Sequence, residues 1–166
     1  MRQSDKRDSL KTEITQQTLL NLFVKAKQEI FSYAEIEYFK DNTKVLFKSF
    51  LCSHYLPCLD ANGKTKYFDF YVELDAFLNR LYLQERNSNV EESIAVLAEL
   101  PLFKLPYIEI KKIYRRLHHE FMIGDFANAT PVRYDVWNAT ELLKKILKTC
   151  CAYKAEQSFE FASIAE

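Results

Sequence analysis

The side chains best able to do chemistry fall into three groups: Cys52, His54 and Cys58 with the adjacent Cys150-Cys151, the pair His118-His119 beside Arg115 and Arg116, and a run of lysines. A structural zinc ion needs four nitrogen or sulfur ligands in tetrahedral array, delivered as paired ligands from tight knuckles. Cys52-x-His54-x3-Cys58 spans an expected helix end, and Cys150 and Cys151 point to different sides of a helix, so no metal site is expected. Free cysteine then behaves as a small buried hydrophobe. A thiol nucleophile needs a base within hydrogen-bond reach. Cys52 and His54, two residues apart, diverge on a helix, and no cysteine catalysis is expected.

The histidines invite a nuclease reading, because some all-helical ribonucleases place an arginine a few residues before a histidine to bind and protonate phosphate. Arg115 shares a helix face with His118 and with His119, at a shorter spacing than such nucleases use. Carboxylates are scattered, and no Glu-x-x-His pair exists to build a di-iron bundle. The more pronounced feature is basic: Lys111, Lys112, Arg115, Arg116 and His119 gather opposite the apolar side of one expected helix. Lys144, Lys145 and Lys148 extend that surface if the two carrying helices pack side by side. Such a face can contact nucleic-acid phosphates, with affinity that falls steeply with salt, and it is also what an ordinary solvated helix face looks like.

These groups must be positioned by helices. The 166 residues contain two glycines and four prolines, too few for P-loops, dinucleotide-binding fingerprints or the frequent turns of sandwiches and barrels. With 14% aromatic and 28% charged residues, the chain is too apolar for disorder and too evenly charged for a membrane span. The opening Met1 to Arg7 segment lacks the apolar core of a secretory signal, and four cysteines in such a chain are expected as reduced thiols, so the cytoplasm is the expected compartment. The zero net charge is unevenly spread: residues 102–154 carry ten basic and five acidic side chains, whereas the last twelve residues carry three acids and no base.

Apolar spacing predicts one all-α domain over 1–166, a bundle of about six helices with ends at 1–9 and 156–166 that fray. The first helix runs from about Leu10 to Ile30, with Leu20, Phe23, Val24, Ile30 and Phe31 as its stripe. Ser32 and Glu35 have capping-box spacing, which starts a second helix near Tyr33 that reaches about Leu56 before Pro57. Asp60 to Gly63 reads as a turn with a left-handed residue. The third helix has the clearest period, Tyr67, Phe70, Tyr71, Leu74, Phe77, Leu78 and Leu81. Asn89 with Glu92 caps a short fourth helix that Pro101 ends. Pro106 opens a fifth, with Tyr107, Ile110, Tyr114, Leu117 and Phe121 inward and Gly124 at its end. Residues 125–138 read as a loop, and Asn138 with Glu141 caps a last helix from Ala139 to about Tyr153. The aromatic core is expected mainly from helices two, three, five and six.

The segment Glu35-Ile36-Glu37-Tyr38-Phe39-Lys40, continuing through Phe47, Phe50 and Leu51, resembles the EI-x-FFK segment of the RteC family, helical regulators associated with conjugative elements. Tyr71-x-Glu73-Leu74 is similar to a downstream helix of that family. The resemblance covers about residues 33–82, implies a helical regulator, and carries over no binding residue. The resulting expectation is a non-enzymatic cytoplasmic binding or regulatory protein with a protein partner, no cofactor and no membrane. The alternatives are a DNA-associated transcriptional regulator using the basic face on 106–123 and 139–154, and a helical nuclease using Arg115 with His118 or His119.

Overall fold

A computed structural model of the chain describes residues 3–124 and 130–164, with side-chain surroundings given for 15–124 and 132–158. Six α-helices follow one another: α1 (Gln3–Tyr33), α2 (Ile36–Leu51), α3 (Ala61–Leu83), α4 (Val90–Ala98), α5 (Tyr107–Ile123) and α6 (Thr130–Ile164), with 3-10 turns at Leu56–Cys58 and Pro101–Lys104. The described residues contain no strand, and no helix among them is long and apolar enough to cross a membrane.

The clearest stripes fold as expected. Phe70, Leu74, Phe77, Leu78 and Leu81 of α3 are all buried, as are Ile110, Tyr114, Leu117 and Phe121 of α5. The Asn89 side chain accepts from the Glu92 amide at 3.1 Å and so satisfies one of the amides left free at the start of α4.

Two expected capping boxes do not form. Ser32 stays inside α1, where its hydroxyl donates to the Gln28 carbonyl at 2.6 Å, the local alternative open to serine in a helix. The first helix therefore continues to Tyr33, and α2 starts at Ile36 after Glu35, whose side chain makes no capping bond. Asn138 is likewise internal to α6, where its amide donates to the Tyr33 hydroxyl across the bundle at 3.2 Å. The expected loop at 125–138 is helical from Thr130, because Pro131 suits a first helical turn and Val132, Val136, Ala139 and Leu143 continue the helical stripe. Residues 125–129 of that segment, with 1–2 and 165–166 of the expected ends, lie outside the described residues.

Further boundaries shift. The second helix stops at Leu51, short of the expected end near Leu56, and Pro57 lies within the separate 3-10 turn Leu56–Cys58. Asp60 to Gly63 is a helix start and not a left-handed turn: the Asp60 carboxylate accepts from the Gly63 amide at 2.7 Å. Gly124 does end α5, but in extended backbone; a Cβ there would lie 3.0 Å from the Glu120 carbonyl oxygen and 3.3 Å from Ser49 Oγ, so close approach is what asks for glycine.

The core is rich in rings. Phe47 stacks on Tyr71 with centroids 4.4 Å apart, Phe50 stacks on Tyr67 at 4.5 Å, and Phe70 meets Tyr114 edge-on at 5.3 Å, geometries aromatic pairs prefer. Helices α1 and α4 contribute more than expected, through Phe23, Ala26 and Ile30 and through Ile94 and Leu97. The reason is α6, which packs on α1, α2, α4 and α5 and so brings the two ends of the sequence together at the centre of the bundle.

Candidate functional site

Buried Glu120, one residue beyond the histidine pair, organises the last turns of α5. Its Oε1 accepts from Arg116 Nη1 at 3.3 Å, one helical turn away, and meets His119 Nδ1 at 3.2 Å. Only 4% of the Glu120 side chain is exposed, so its charge depends on these partners for compensation. The Arg116 guanidinium lies 4.1 Å from the centre of the Tyr55 ring, a cation–π contact that fixes its outer side. Beside this cluster is a polar depression of about 210 Å³ lined by Ser49, Cys52, Ser53, His54, Glu120, Ile123 and Gly124.

The two histidines have different surroundings. His118 is 8% exposed and packs edge-on against Trp137 of α6, with ring centroids 5.5 Å apart. Burial, and after it the nearby Lys144 charge, bring its pKa down to about 4, so the ring is neutral near neutral pH. Its Nε2 is buried without a hydrogen-bond partner. His119 is exposed and turned toward Glu120. The Arg115, His118 and His119 combination thus divides between water, a sealed core position and a buried carboxylate.

The eight basic candidates also divide. Lys112 pairs with Glu109 at 2.7 Å, which also pairs with Lys66 of α3 at 3.0 Å. Lys144 pairs with Glu141 at 2.7 Å and lies 5.9 Å from the rings of Tyr114 and Trp137, along the α5–α6 seam. Lys111 and Arg115 are exposed on α5. Lys145 and Lys148 project elsewhere, toward α1, where Lys145 pairs with Glu29. Helices α5 and α6 do pack together, but the eight residues occupy the outside of α5, the α5–α6 seam and the α1–α6 side.

Among the cysteines, Cys52 and Cys58 are exposed and Cys150 is buried, with all four free. The Cys58 thiol donates to the His54 carbonyl at 3.3 Å, and burial pushes Cys151 up to about 11. Among the described residues, no group of three His, Cys, Asp or Glu side chains is arranged to hold a metal ion.

The surface that the sequence does not announce is the groove where α1 and α6 run side by side. It has a volume of about 310 Å³, at the lower end of the roughly 300–1,000 Å³ of ligand pockets. Leu19, Leu22 and Ala26 of α1 and Ala152 of α6 supply apolar surface, while Lys25, Lys145 and Lys148 stand around it with Glu29. Glu29 faces Lys145 while Lys25 and Leu22, a turn or two earlier, share the groove with Lys148 and Ala152, so the two helices are antiparallel. Leu22 is 50% exposed although it borders an apolar floor. The sequence signal was faint: Leu22 and Lys25 fall off the stripe that buries α1, and only the pairing with α6 makes them neighbours of Lys148.

Comparison with protein-family models, with curated proteins and with solved structures finds no match to this chain.

Proposed function

We propose that this chain is a non-enzymatic binding or regulatory protein that engages another protein through the α1–α6 groove. The observation that carries the reading is the groove itself: an open apolar floor, with Leu22 half in water, ringed by lysines on the two longest helices. Apolar surface with a polar rim is the usual make-up of a protein-binding patch. The division of the histidine and arginine groups on α5 supports the same reading, since His118 is sealed and held neutral while exposed His119 turns its Nδ1 to Glu120 rather than toward Arg115. The compartment in this reading is the cytoplasm, where exposed thiols such as Cys52 and Cys58 stay reduced.

Site-specific photocrosslinking tests it. A benzophenone amino acid placed at Leu22 in cells producing the protein is expected to give protein adducts that resist nuclease, absent when the same group replaces exposed Val72 on α3. Adducts that nuclease removes, or equal adducts at both positions, would overturn the reading. A DNA-associated regulator is the second reading, favoured by Lys111, Lys112 and Arg115, which are exposed together on α5. It requires retention on DNA that Lys111→Glu with Arg115→Glu abolishes and that salt weakens steeply.

A further inference from the structure

The chemistry of the groove narrows what can fill it. Its apolar residues Leu19, Leu22, Ala26 and Ala152 lie between two antiparallel helices, so the floor is a trough parallel to both axes. Around it stand three ammonium groups, Lys25, Lys145 and Lys148, against one carboxylate, and that carboxylate, Glu29, already accepts from Lys145. Hydrogen bonding to Lys145 holds Glu29 below the ordinary carboxylate range, so it stays charged and leaves a net surplus of two positive charges.

We infer that the occupant is an acidic amphipathic helix of a partner protein, laid along the trough with apolar side chains on the floor and carboxylates over Lys25 and Lys148. This rests on the proposed protein-binding role and specifies the partner's chemistry. Two walls running side by side over Leu19–Glu29 and Lys145–Ala152 match the helix-in-groove mode, in which anchors recur every three or four residues. A phosphodiester backbone would satisfy the lysines but leave the apolar floor in water. A flat membrane would meet Lys25 and Lys148 but not the bottom of a concave trough. Neither uses both halves of the site, whereas a helix with one apolar and one acidic face does.

The test uses the full chain and three fluorescent peptides of roughly 18 residues: a helix with a leucine stripe flanked by glutamates, the same stripe flanked by lysines, and a scrambled version of the first. Fluorescence anisotropy at low salt is expected to show the acidic helix binding at least about tenfold more tightly than either control. Lys25→Glu with Lys148→Glu, both exposed in the free protein, should reverse the preference toward the lysine-flanked peptide while the circular dichroism spectrum is unchanged. Equal binding of all three peptides, no binding of the acidic helix, or an unchanged preference in the double variant would overturn the inference. A nuclease-resistant adduct at Leu22 together with no acidic-helix preference would leave the protein-binding reading standing and remove the acidic helix alone. A groove that binds no designed peptide and gives no adduct would remove both.

Discussion

His118 makes acid stability a direct probe of the α5–α6 seam. An imidazole buried against Trp137, with Lys144 nearby, has its pKa lowered from the ordinary 6.5 to about 4. A group whose pKa falls on folding binds fewer protons folded than unfolded, so its contribution is present above about 6.5 and is lost as pH falls toward 4. The gap corresponds to about 3 kcal/mol, spread over that window at about 1.4 kcal/mol per pH unit. Urea unfolding from pH 7 to pH 4.5 should therefore show a decline that His118→Leu largely removes, since leucine fills the space without taking a proton. Carboxylates add their own slope near the acid end, so the quantity to compare is the difference between the two proteins. The seam supplies a second readout. Trp137 is the sole tryptophan, and a protonated imidazole quenches indole emission more than a neutral one. Emission of the folded protein should stay level through pH 6.5 and fall only near 4, with Lys144→Gln moving that midpoint upward. An emission midpoint near 6.5 in folded protein, or equal slopes for wild type and His118→Leu, would refute the sealed, neutral imidazole.

Three further outcomes are expected. Phe77→Ala, at a side chain with no exposure that meets Phe103 edge-on, should cost about 3–5 kcal/mol in denaturant unfolding, and a loss under about 1 kcal/mol would contradict its central position. Arg116→Ala should destabilise by about 2–3 kcal/mol, because it leaves the Glu120 carboxylate buried with His119 alone, whereas Lys111→Ala should stay within about 0.5 kcal/mol; similar values for both would mean that Glu120 does not depend on Arg116. A thiol reagent added to folded protein should react rapidly with Cys52 and Cys58 and slowly with Cys150, whose thiolate is suppressed by burial, as peptide mapping of the modified sites will show.

How much of this was legible in the sequence depended on the range of the interaction. Helices α3 and α5 announce themselves because each carries one uninterrupted apolar stripe, and Asn89 can be read as a cap because its best partner lies three residues away. Ser32 and Asn138 have the same local spacing but better offers elsewhere: a carbonyl one turn back for Ser32, a tyrosine hydroxyl on another helix for Asn138. The loop expected at 125–138 gives way to helix because Val132 and Val136 stand one helical turn apart and continue the stripe of α6. Burial of Glu120 could not be foreseen from a charged stretch of α5 in which Lys111, Lys112, Arg115 and His119 face water. The groove was least legible of all, since Leu22 and Lys148 become neighbours only through the antiparallel pairing of α1 with α6.

That pairing also orders events in time. As the chain leaves the ribosome, α1 emerges well before α6, and α1, α2, α4 and α5 lack the helix against which all four pack until it follows. Contacts of such wide sequence separation must wait for loop closure, so the bundle is expected to consolidate late, with α1 meanwhile carrying its buried face exposed. One wall of the groove comes from each of these two helices, so no chain lacking α6 can present it. A partner of the kind proposed above would distinguish chains with α6 docked on α1 from chains still lacking it, and every truncation that removes α6 would erase the groove together with the core contacts that α6 supplies.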